Sequence, residues 1–116
     1  MIRVVFAVSA VSPKNKKSTL QITGHAKTAP HGSDLVCAAV STLAYTYSVC
    51  ARKLQQEGKL RCKPTIVLDE GNAVITIEPK EDAQQEAETI LSTIRCGCEM
   101  LSREYPEIIH IKTLNA

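Results

Sequence analysis

A histidine and a cysteine in the first third of the chain are of the types that act together in nucleophilic catalysis. His25 follows directly after Gly24, and Cys37 follows after the segment 26–36. An imidazole close to a thiol can take the thiol proton, and the resulting thiolate attacks carbonyl carbon atoms. The pair therefore predicts acyl-transfer or hydrolytic chemistry if the fold brings the two side chains together.

The sequence around Cys37 is typical of the start of a helix. Ser33 and Asp34 are suitable N-cap residues, and apolar residues follow them at helical spacing. These apolar residues are Val36, Val40, Leu43, Tyr47, Cys50 and Leu54. A thiol in the first helical turn meets unpaired backbone N–H groups and the positive end of the helix dipole, both of which favour the thiolate. The same N–H groups, including that of Cys37, can stabilise a tetrahedral oxyanion.

Each of these residues also has a purely structural interpretation. A cysteine in a helix is often a small core residue, and a histidine at a strand end is often a solvated turn residue. Asp34 is more typical of a helix cap than of a catalytic acid, and Gly24 and Gly32 can serve backbone turns. His31 is a second candidate for the base. The residues alone leave these alternatives open.

The rest of the sequence predicts a single α+β domain over residues 1–116 with the order β-β-α-β-β-α-β. Alternating or β-branched runs predict five strands, which are 2–9, 18–24, 65–68, 73–78 and 108–114. A turn at 12–17 joins the first two strands. The first helix ends near Gly58, and the second extends from a cap at Asp82 to Pro106. Two hairpins imply a mainly antiparallel sheet, which two amphipathic helices cover on one face in a two-layer architecture.

Composition excludes several classes of protein. The chain has 116 residues, 44% hydrophobic and 22% charged, which is typical of one globular domain. A net charge of +2 and only one Phe and three Tyr argue against bulk attraction to nucleic acid or a stacking surface for single strands. No uninterrupted apolar run approaches the roughly 20 residues that span a bilayer. Met1–Val8 fits a strand better than a signal peptide.

The five cysteines predict free thiols in a cytoplasmic protein. An odd number argues against a closed disulfide framework, and thiols persist in reducing compartments. Cys62, Cys96 and Cys98, together with His31 and His110, supply enough ligands for zinc in principle. However, Cys96 and Cys98 lie about 200° apart around a helix, so both cannot face one metal. We therefore expect no metal and no other cofactor.

The spacing of the candidate residues resembles a known family. The segments Gly24–Ala26 and Gly32–Ser41, separated by residues 27–31, resemble the motif of the ribosomal-processing cysteine proteases known as Prp. The interval from His25 to Cys37 and the Gly-x-Asp-x-x-Cys spacing both agree with that motif. The length and the order of elements agree as well, so the resemblance covers essentially the whole chain.

The resemblance implies a function and a role for each residue. By this resemblance, Cys37 is the expected nucleophile and His25 is its expected base, in preference to His31. The expected substrate is the precursor of large-subunit ribosomal protein twenty-seven, whose N-terminal extension is removed through a thioester acyl-enzyme. Asp34 and Ser41 become supporting or capping residues, while Gly24 and Gly32 become the hinges of a loop that moves when substrate binds.

The family is also described as homodimeric. Apolar residues outside the main helical stripes agree with a helix-mediated dimer; they are Leu35, Ala39, Ala44, Val49, Ile90 and Met100. A sheet that wraps widely around the helices would explain them equally. The segment 27–31 lacks the aromatic residues that relatives often have there, and Pro30 should stiffen it.

Two other functions remain open at this stage. The first is a non-catalytic module that binds ribosomes or RNA through Lys14, Lys16 and Lys17, although we expect no direct nucleic-acid binding and no membrane association. The second is a redox sensor based on Cys37, which would be oxidised reversibly without any peptide turnover. Loss of peptide cleavage on replacing Cys37 separates the protease from both alternatives.

Overall fold

The chain folds into a five-stranded sheet and two long helices. In a computed structural model, residues 1–24 and 33–115 are described, with Ser33 and Asp34 described by their backbone only. The strands are β1 Ile2–Ser12, β2 Asn15–Gly24, β3 Thr65–Asp69, β4 Asn72–Ile77 and β5 Ile109–Asn115. The helices are α1 Ser33–Gln56 and α2 Gln84–Glu104, the second preceded by a short 3-10 turn, Glu81–Ala83. The described elements follow the predicted order.

The strands lie in the order β3-β4-β2-β1-β5. Three neighbouring pairs are antiparallel, and the pair of β1 with β5 is parallel. Parallel pairing arises at this edge because α2 carries the chain back across the sheet before β5 begins. The two-layer α+β architecture with a mainly antiparallel sheet is therefore confirmed.

One face of the sheet forms the core beneath both helices. Val4 and Phe6 of β1 are fully buried, and their register partners Ile22 and Leu20 on β2 are buried beside them. The side chains alternate between the two faces, so Arg3 and Val5 of β1 point the other way. The helices also contact each other closely, because a Cβ atom on Gly97 would lie 2.9 Å from a methyl group of Leu43. This packing fixes the direction in which α1 crosses the sheet.

The first hairpin is tighter than the sequence predicted. The predicted turn at 12–17 is wrong, because only Pro13 and Lys14 form the turn and both strands continue to it. Lys16 and Lys17 lie within β2, where they pair with Ala10 and Ser9 of β1. Ladder hydrogen bonds join backbone groups, so strand pairing continues through polar residues that face solvent.

The predicted cap at Asp82 is also wrong. The 3-10 turn Glu81–Ala83 precedes α2, and Ala83 takes the N-cap position without any side-chain cap hydrogen bond. Ala83 is buried, so the chain enters the helix through an apolar contact instead of a carboxylate cap. Glu86 nevertheless lies in the first turn, where the helix dipole favours an acidic side chain.

The apolar residues outside the helical stripes fall into two groups. Ala44 is buried, and Ala39 and Ile90 are half-buried, so the sheet and the neighbouring helix cover part of this set. Leu35, Val49 and Met100 remain exposed, at 67%, 55% and 57%. The homodimer stays a prediction.

Helix α1 combines a buried face with an apolar composition. Its segment Leu35–Gln56 is long enough to cross a membrane, and its most apolar 18-residue window has a mean hydropathy of 1.2. Its buried residues, from Val36 to Leu54, pack against the sheet. The same composition is typical of a core helix in a globular domain.

The hydroxyl of Tyr47 is a polar group inside this apolar core. Tyr47 is completely buried, and its hydroxyl oxygen has no hydrogen-bond partner among the described residues. Burial, with a smaller contribution from Cys50, raises the pKa of Tyr47 above its ordinary value. A buried hydroxyl without a partner costs at least about 1 kcal/mol.

We predict that Tyr47→Phe raises the free energy of unfolding by about 1 kcal/mol, measured by urea denaturation. Tyr45→Phe serves as the control, because Tyr45 is 56% exposed and its hydroxyl can reach water. We expect the control to leave the urea midpoint unchanged. A loss of stability in Tyr47→Phe alone would mean that the hydroxyl is bonded in the folded protein.

Candidate active site

Cys37 lies near the start of α1 and faces an open cavity. The helix begins at Ser33, and the Cys37 side chain is half-buried against the core. The same side chain lines a cavity of about 460 Å³ at the end of the sheet where β2 ends and β4 begins. The sulfur is therefore neither enclosed by the core nor fully exposed, which is the environment that a nucleophile needs.

The cavity has an apolar floor and a polar rim. Its apolar residues come from both layers of the fold; they are Ile2, Ile22, Val40, Ala44, Leu68 and Ala73. Ser41 and Tyr45 follow Cys37 at successive turns of α1 and line one side. The hairpin between β3 and β4 supplies the other side, where Asp69, Glu70 and Asn72 lie. The cavity can accommodate an apolar side chain beside a polar peptide backbone.

The start of α1 supplies candidate oxyanion donors, but not the one predicted. In an α-helix the N–H group of each residue bonds to the carbonyl four residues earlier. Because the helix begins at Ser33, the N–H of Cys37 is committed to the Ser33 carbonyl. The N–H groups that have no partner within the helix belong to its first residues, Ser33–Leu35. These groups replace Cys37 as the candidates for holding an oxyanion.

Gly24 ends β2 in a conformation that other residues rarely adopt. Its φ angle is +100°, and a Cβ atom built on it would collide with the carbonyl oxygen of Met1. Its N–H donates a 3.0 Å hydrogen bond to the Gly71 carbonyl in the hairpin between β3 and β4. Gly24 thus ends β2 in a backbone conformation suited to glycine, and its role as a hinge stays a prediction.

The structure places some of the predicted residues and leaves others untested. Ser41 lines the cavity with Cys37, and its hydroxyl makes no hydrogen bond to a described residue. Asp34 lies in the first turn of α1, but its side chain is outside the described atoms. His25, His31 and Gly32 lie outside the described residues. The contact between His25 and Cys37 therefore stays a prediction.

The other cysteines do not form a second site in the described ranges. Cys96 is exposed and Cys98 is buried on the continuous helix α2, so they point to different sides as helical geometry predicts. Cys62 is exposed, with its Sγ 3.8 Å from a carboxylate oxygen of Glu78. Within residues 1–24 and 35–115, no group of three His, Cys, Asp or Glu side chains is arranged to hold a metal ion.

No pattern in the sequence indicated that the hairpin between β3 and β4 borders the site. Leu68–Ala73 follow Cys37 at a long distance in the chain and reach it only because β4 pairs with β2. Tyr45 also lies on the cavity. Its spacing from Cys37 and Ser41 on one side of α1 was the signal that identifies it.

The chain is similar to known cysteine proteases. Residues 1–110 match the family described as cysteine protease Prp. Among solved structures, SMU.848 from Streptococcus mutans is 23% identical with a TM-score of 0.68, covering 100% of this chain and 96% of that chain. None of the curated protein sequences matches this chain.

Two structures of a Staphylococcus aureus protein share the fold. The essential ribosomal processing protease Prp in complex with a substrate peptide is 24% identical with a TM-score of 0.67, covering 97% of this chain and 99% of that chain. The same protein with a covalently linked product peptide is 21% identical with a TM-score of 0.60, covering 95% and 98%. At these identities, the likeness shows the fold.

Two of the three described glycines with positive φ angles, Gly24 and Gly58, provide a matched test of the hinge. Gly58 has a φ angle of +72°, and a Cβ atom on it would meet nothing within 4 Å. We predict that Gly58→Ala lowers the free energy of unfolding by about 1 kcal/mol, the cost of a left-handed alanine. Gly24→Ala should lower the free energy of unfolding by more than this. It should also slow peptide cleavage, because the chain must move away from the Met1 carbonyl oxygen. Equal losses of stability in urea denaturation, with unchanged cleavage, would contradict this role for Gly24.

The reactivity of the five thiols tests the environment of Cys37. We predict that iodoacetamide at neutral pH labels half-buried Cys37 before exposed Cys62 and Cys96, measured by mass spectrometry of the labelled peptides. Exposure alone would give the opposite order, so faster labelling of Cys62 and Cys96 would contradict thiolate stabilisation at the helix start.

Cys98 is the internal control for this labelling. Burial, with a smaller contribution from Glu99, raises the pKa of Cys98 to about 11. Cys98 should therefore stay unlabelled in the folded protein. Because the unfolded chain loses this thiol proton near pH 9.0, the free energy of unfolding should fall as the pH rises from there towards 11.

Proposed function

Because the chain belongs to the cysteine protease Prp family and is a cysteine protease, we propose that it processes a ribosomal protein. Its substrate would be the precursor of large-subunit ribosomal protein twenty-seven, from which it removes the N-terminal extension. The observation that supports this most is the position of Cys37, near the start of α1 and open to a cavity. The substrate is inferred from the family motif at Gly24–Ala26 and Gly32–Ser41.

The reaction begins with attack by Cys37 on the scissile carbonyl carbon. The thiolate forms a carbon–sulfur bond, and the carbonyl oxygen becomes an oxyanion facing the N–H groups of Ser33–Leu35. Protonated His25 then donates its proton to the nitrogen of the leaving amine, and the carbon–nitrogen bond breaks. The product at this stage is a thioester on Cys37 and a free new N-terminus.

Hydrolysis of the thioester completes the cycle. His25, now neutral, takes a proton from a water molecule whose oxygen attacks the thioester carbonyl. The carbon–sulfur bond breaks, which returns the thiolate and a protonated imidazole. The S. aureus Prp structures hold a substrate peptide and a covalently linked product peptide. That covalent complex in a protein of the same fold supports a covalent route here.

The lining of the cavity favours a substrate with an apolar residue beside the scissile bond. Its floor is formed by aliphatic side chains such as Ile22, Val40 and Leu68, which favour an apolar occupant over a charged one. The hydroxyl groups of Ser41 and Tyr45 lie on the same cavity and can bond to the peptide backbone of the substrate. Asp34 would either orient His25 or cap α1.

The proposal includes a cytoplasmic homodimer. Leu35, Tyr45 and Val49 share the side of α1 that faces away from the core, and each is more than half exposed. An apolar stripe of this kind on a soluble protein favours association with a second surface. A reducing compartment agrees with the described cysteines, all of which are free thiols.

Direct RNA binding has less support than proteolysis. Two of the three lysines that formed the predicted basic patch lie near α2 in the folded protein. Lys16 pairs with Glu88 at 3.5 Å, and the carbonyl oxygen of Lys14 accepts a hydrogen bond from Gln84. The acidic partner reduces the positive charge that a phosphate backbone would meet.

Replacement of the nucleophile tests the proposed function. The host's own precursor is incubated with the wild-type protein, and mass spectrometry identifies the new N-terminus. We predict that Cys37→Ala lowers the cleavage rate at least about a thousandfold while the circular dichroism spectrum is unchanged. Cys50→Ala is the matched control on the same helix, and we expect it to cleave at nearly the wild-type rate.

Two results would refute this function. Cleavage by Cys37→Ala at the wild-type rate would remove Cys37 from the mechanism. A wild-type protein that leaves the precursor intact, while it cleaves other peptides, would show a different substrate.

A further inference from the structure

Strand β3 is an edge strand that ends at the candidate site. Among the described strands, its only neighbour is β4. Leu68 and Asp69, at the end of β3, line the same cavity as Cys37. The free edge of β3 is therefore continuous with the place where the reaction occurs.

The register shows which backbone groups of β3 are free. The hydrogen bond from the Gly24 N–H to the Gly71 carbonyl makes these two residues a bonded pair. Bonded pairs alternate along an antiparallel ladder, so Ala73 and Ile75 also turn their backbone groups towards β2. The residues between them therefore turn their backbone groups towards β3.

The same alternation continues into β3. Asn72, Val74 and Thr76 pair with Asp69, Val67 and Thr65, respectively. These three residues of β3 use their N–H and C=O groups to bond with β4. The N–H and C=O groups of Ile66 and Leu68 consequently point away from the sheet, while their side chains pack beneath the helices.

The β3 edge lacks the usual protection against strand pairing. Natural edge strands are commonly interrupted by lysine, proline or a bulge. The centre of β3 is Ile66-Val67-Leu68, an uncharged and partly β-branched run, whereas the opposite edge strand β5 carries His110 and Lys112. An unprotected edge with strong strand propensity is suited to pairing with another extended chain.

We propose that the substrate binds as an added strand on the free edge of β3. Residues on one side of its scissile bond pair with the N–H and C=O groups of Ile66 and Leu68, and the chain continues into the cavity at Cys37. This inference rests on the proposed protease function. Backbone pairing holds the substrate in an extended conformation. It tolerates any side chain at the substrate residues that point to the face of the sheet opposite the helices.

A substrate is a better occupant of this edge than a second copy of the chain. The edge ends at the cavity, and only two residues, Ile66 and Leu68, present outward backbone groups in the strand. Pairing along such a short edge buries far less accessible surface area than a stable dimer interface needs. A peptide that also fills the cavity needs fewer contacts from the strand itself.

Backbone methylation of the substrate provides the first test. A series of substrate peptides is made, each with one amide nitrogen methylated, which removes a single hydrogen-bond donor. We predict that kcat/KM falls about fivefold or more at alternate residues on one side of the scissile bond. Methylation of the intervening residues should have much less effect. A uniform response, or one without a two-residue period, would overturn the proposal.

A variant of β3 provides the second test. Ile66→Pro removes an outward N–H without breaking a bond to β4, so the sheet can remain intact. We predict a KM at least about fivefold higher with the same rate of Cys37 alkylation, whereas the melting temperature should fall because proline replaces the core contact of the Ile66 side chain. Ile66→Val is the matched control, because it keeps the N–H and should keep the wild-type KM.

The two tests together distinguish the possible results. If the edge pairs with substrate, methylating the substrate amide opposite Ile66 should lower kcat/KM little further in Ile66→Pro. Losses of kcat/KM that multiply would show that the two changes act independently, and they would overturn the pairing. Equal cleavage of all methylated peptides would reject the added strand while the protease function stands. No cleavage of the unmodified peptide would instead reject the proposed function. A changed sedimentation coefficient in Ile66→Pro would assign the edge to a dimer and overturn the proposal.

Discussion

The packing of α1 against the sheet is the interaction on which the site depends. Val36, immediately before Cys37, and Val40, three residues after it, are both buried, and their burial orients the start of the helix over the end of the sheet. Each such side chain contributes about 1.5–3 kcal/mol when it is fully buried. Because Cys37 lies between the buried and exposed sides of the helix, the same packing leaves its sulfur at the cavity. The Cys37 sulfur is therefore positioned by the core itself.

The other side of the cavity depends on strand pairing. Gly24 ends β2 with a backbone conformation suited to glycine, and its hydrogen bond to Gly71 fixes the hairpin between β3 and β4 beside it. This bond connects the strand that leads to His25 with the strand that borders the cavity. The helix contributes the Cys37 sulfur and the candidate oxyanion donors, while the sheet contributes much of the floor, the rim and an edge with no neighbour among the described strands. In the proposed mechanism, reaction and substrate recognition would therefore use different layers of one fold.

Local patterns in the sequence were sufficient for the order of the elements and for the position of Cys37 near the start of α1. Periods of two and of 3.6 residues identify the strands and both helix faces, because burial on one side imposes them. Asp82 failed as a cap because a 3-10 turn places buried Ala83 at that position, a choice that depends on tertiary packing. The contribution of Leu68 to the cavity was not predictable, since it follows from the order of strands in the sheet. The contact of His25 with Cys37 stays a prediction from the motif.

Trapping the acyl-enzyme tests the central claim most directly. A reaction with precursor is stopped with acid during turnover, the protein is digested, and mass spectrometry locates any added mass. The account predicts a hydroxylamine-sensitive thioester that joins the removed extension to Cys37 and to no other cysteine. The same adduct on Cys50, Cys62, Cys96 or Cys98, or rapid cleavage with every cysteine unmodified, would show that the sulfur at the start of α1 is not the nucleophile.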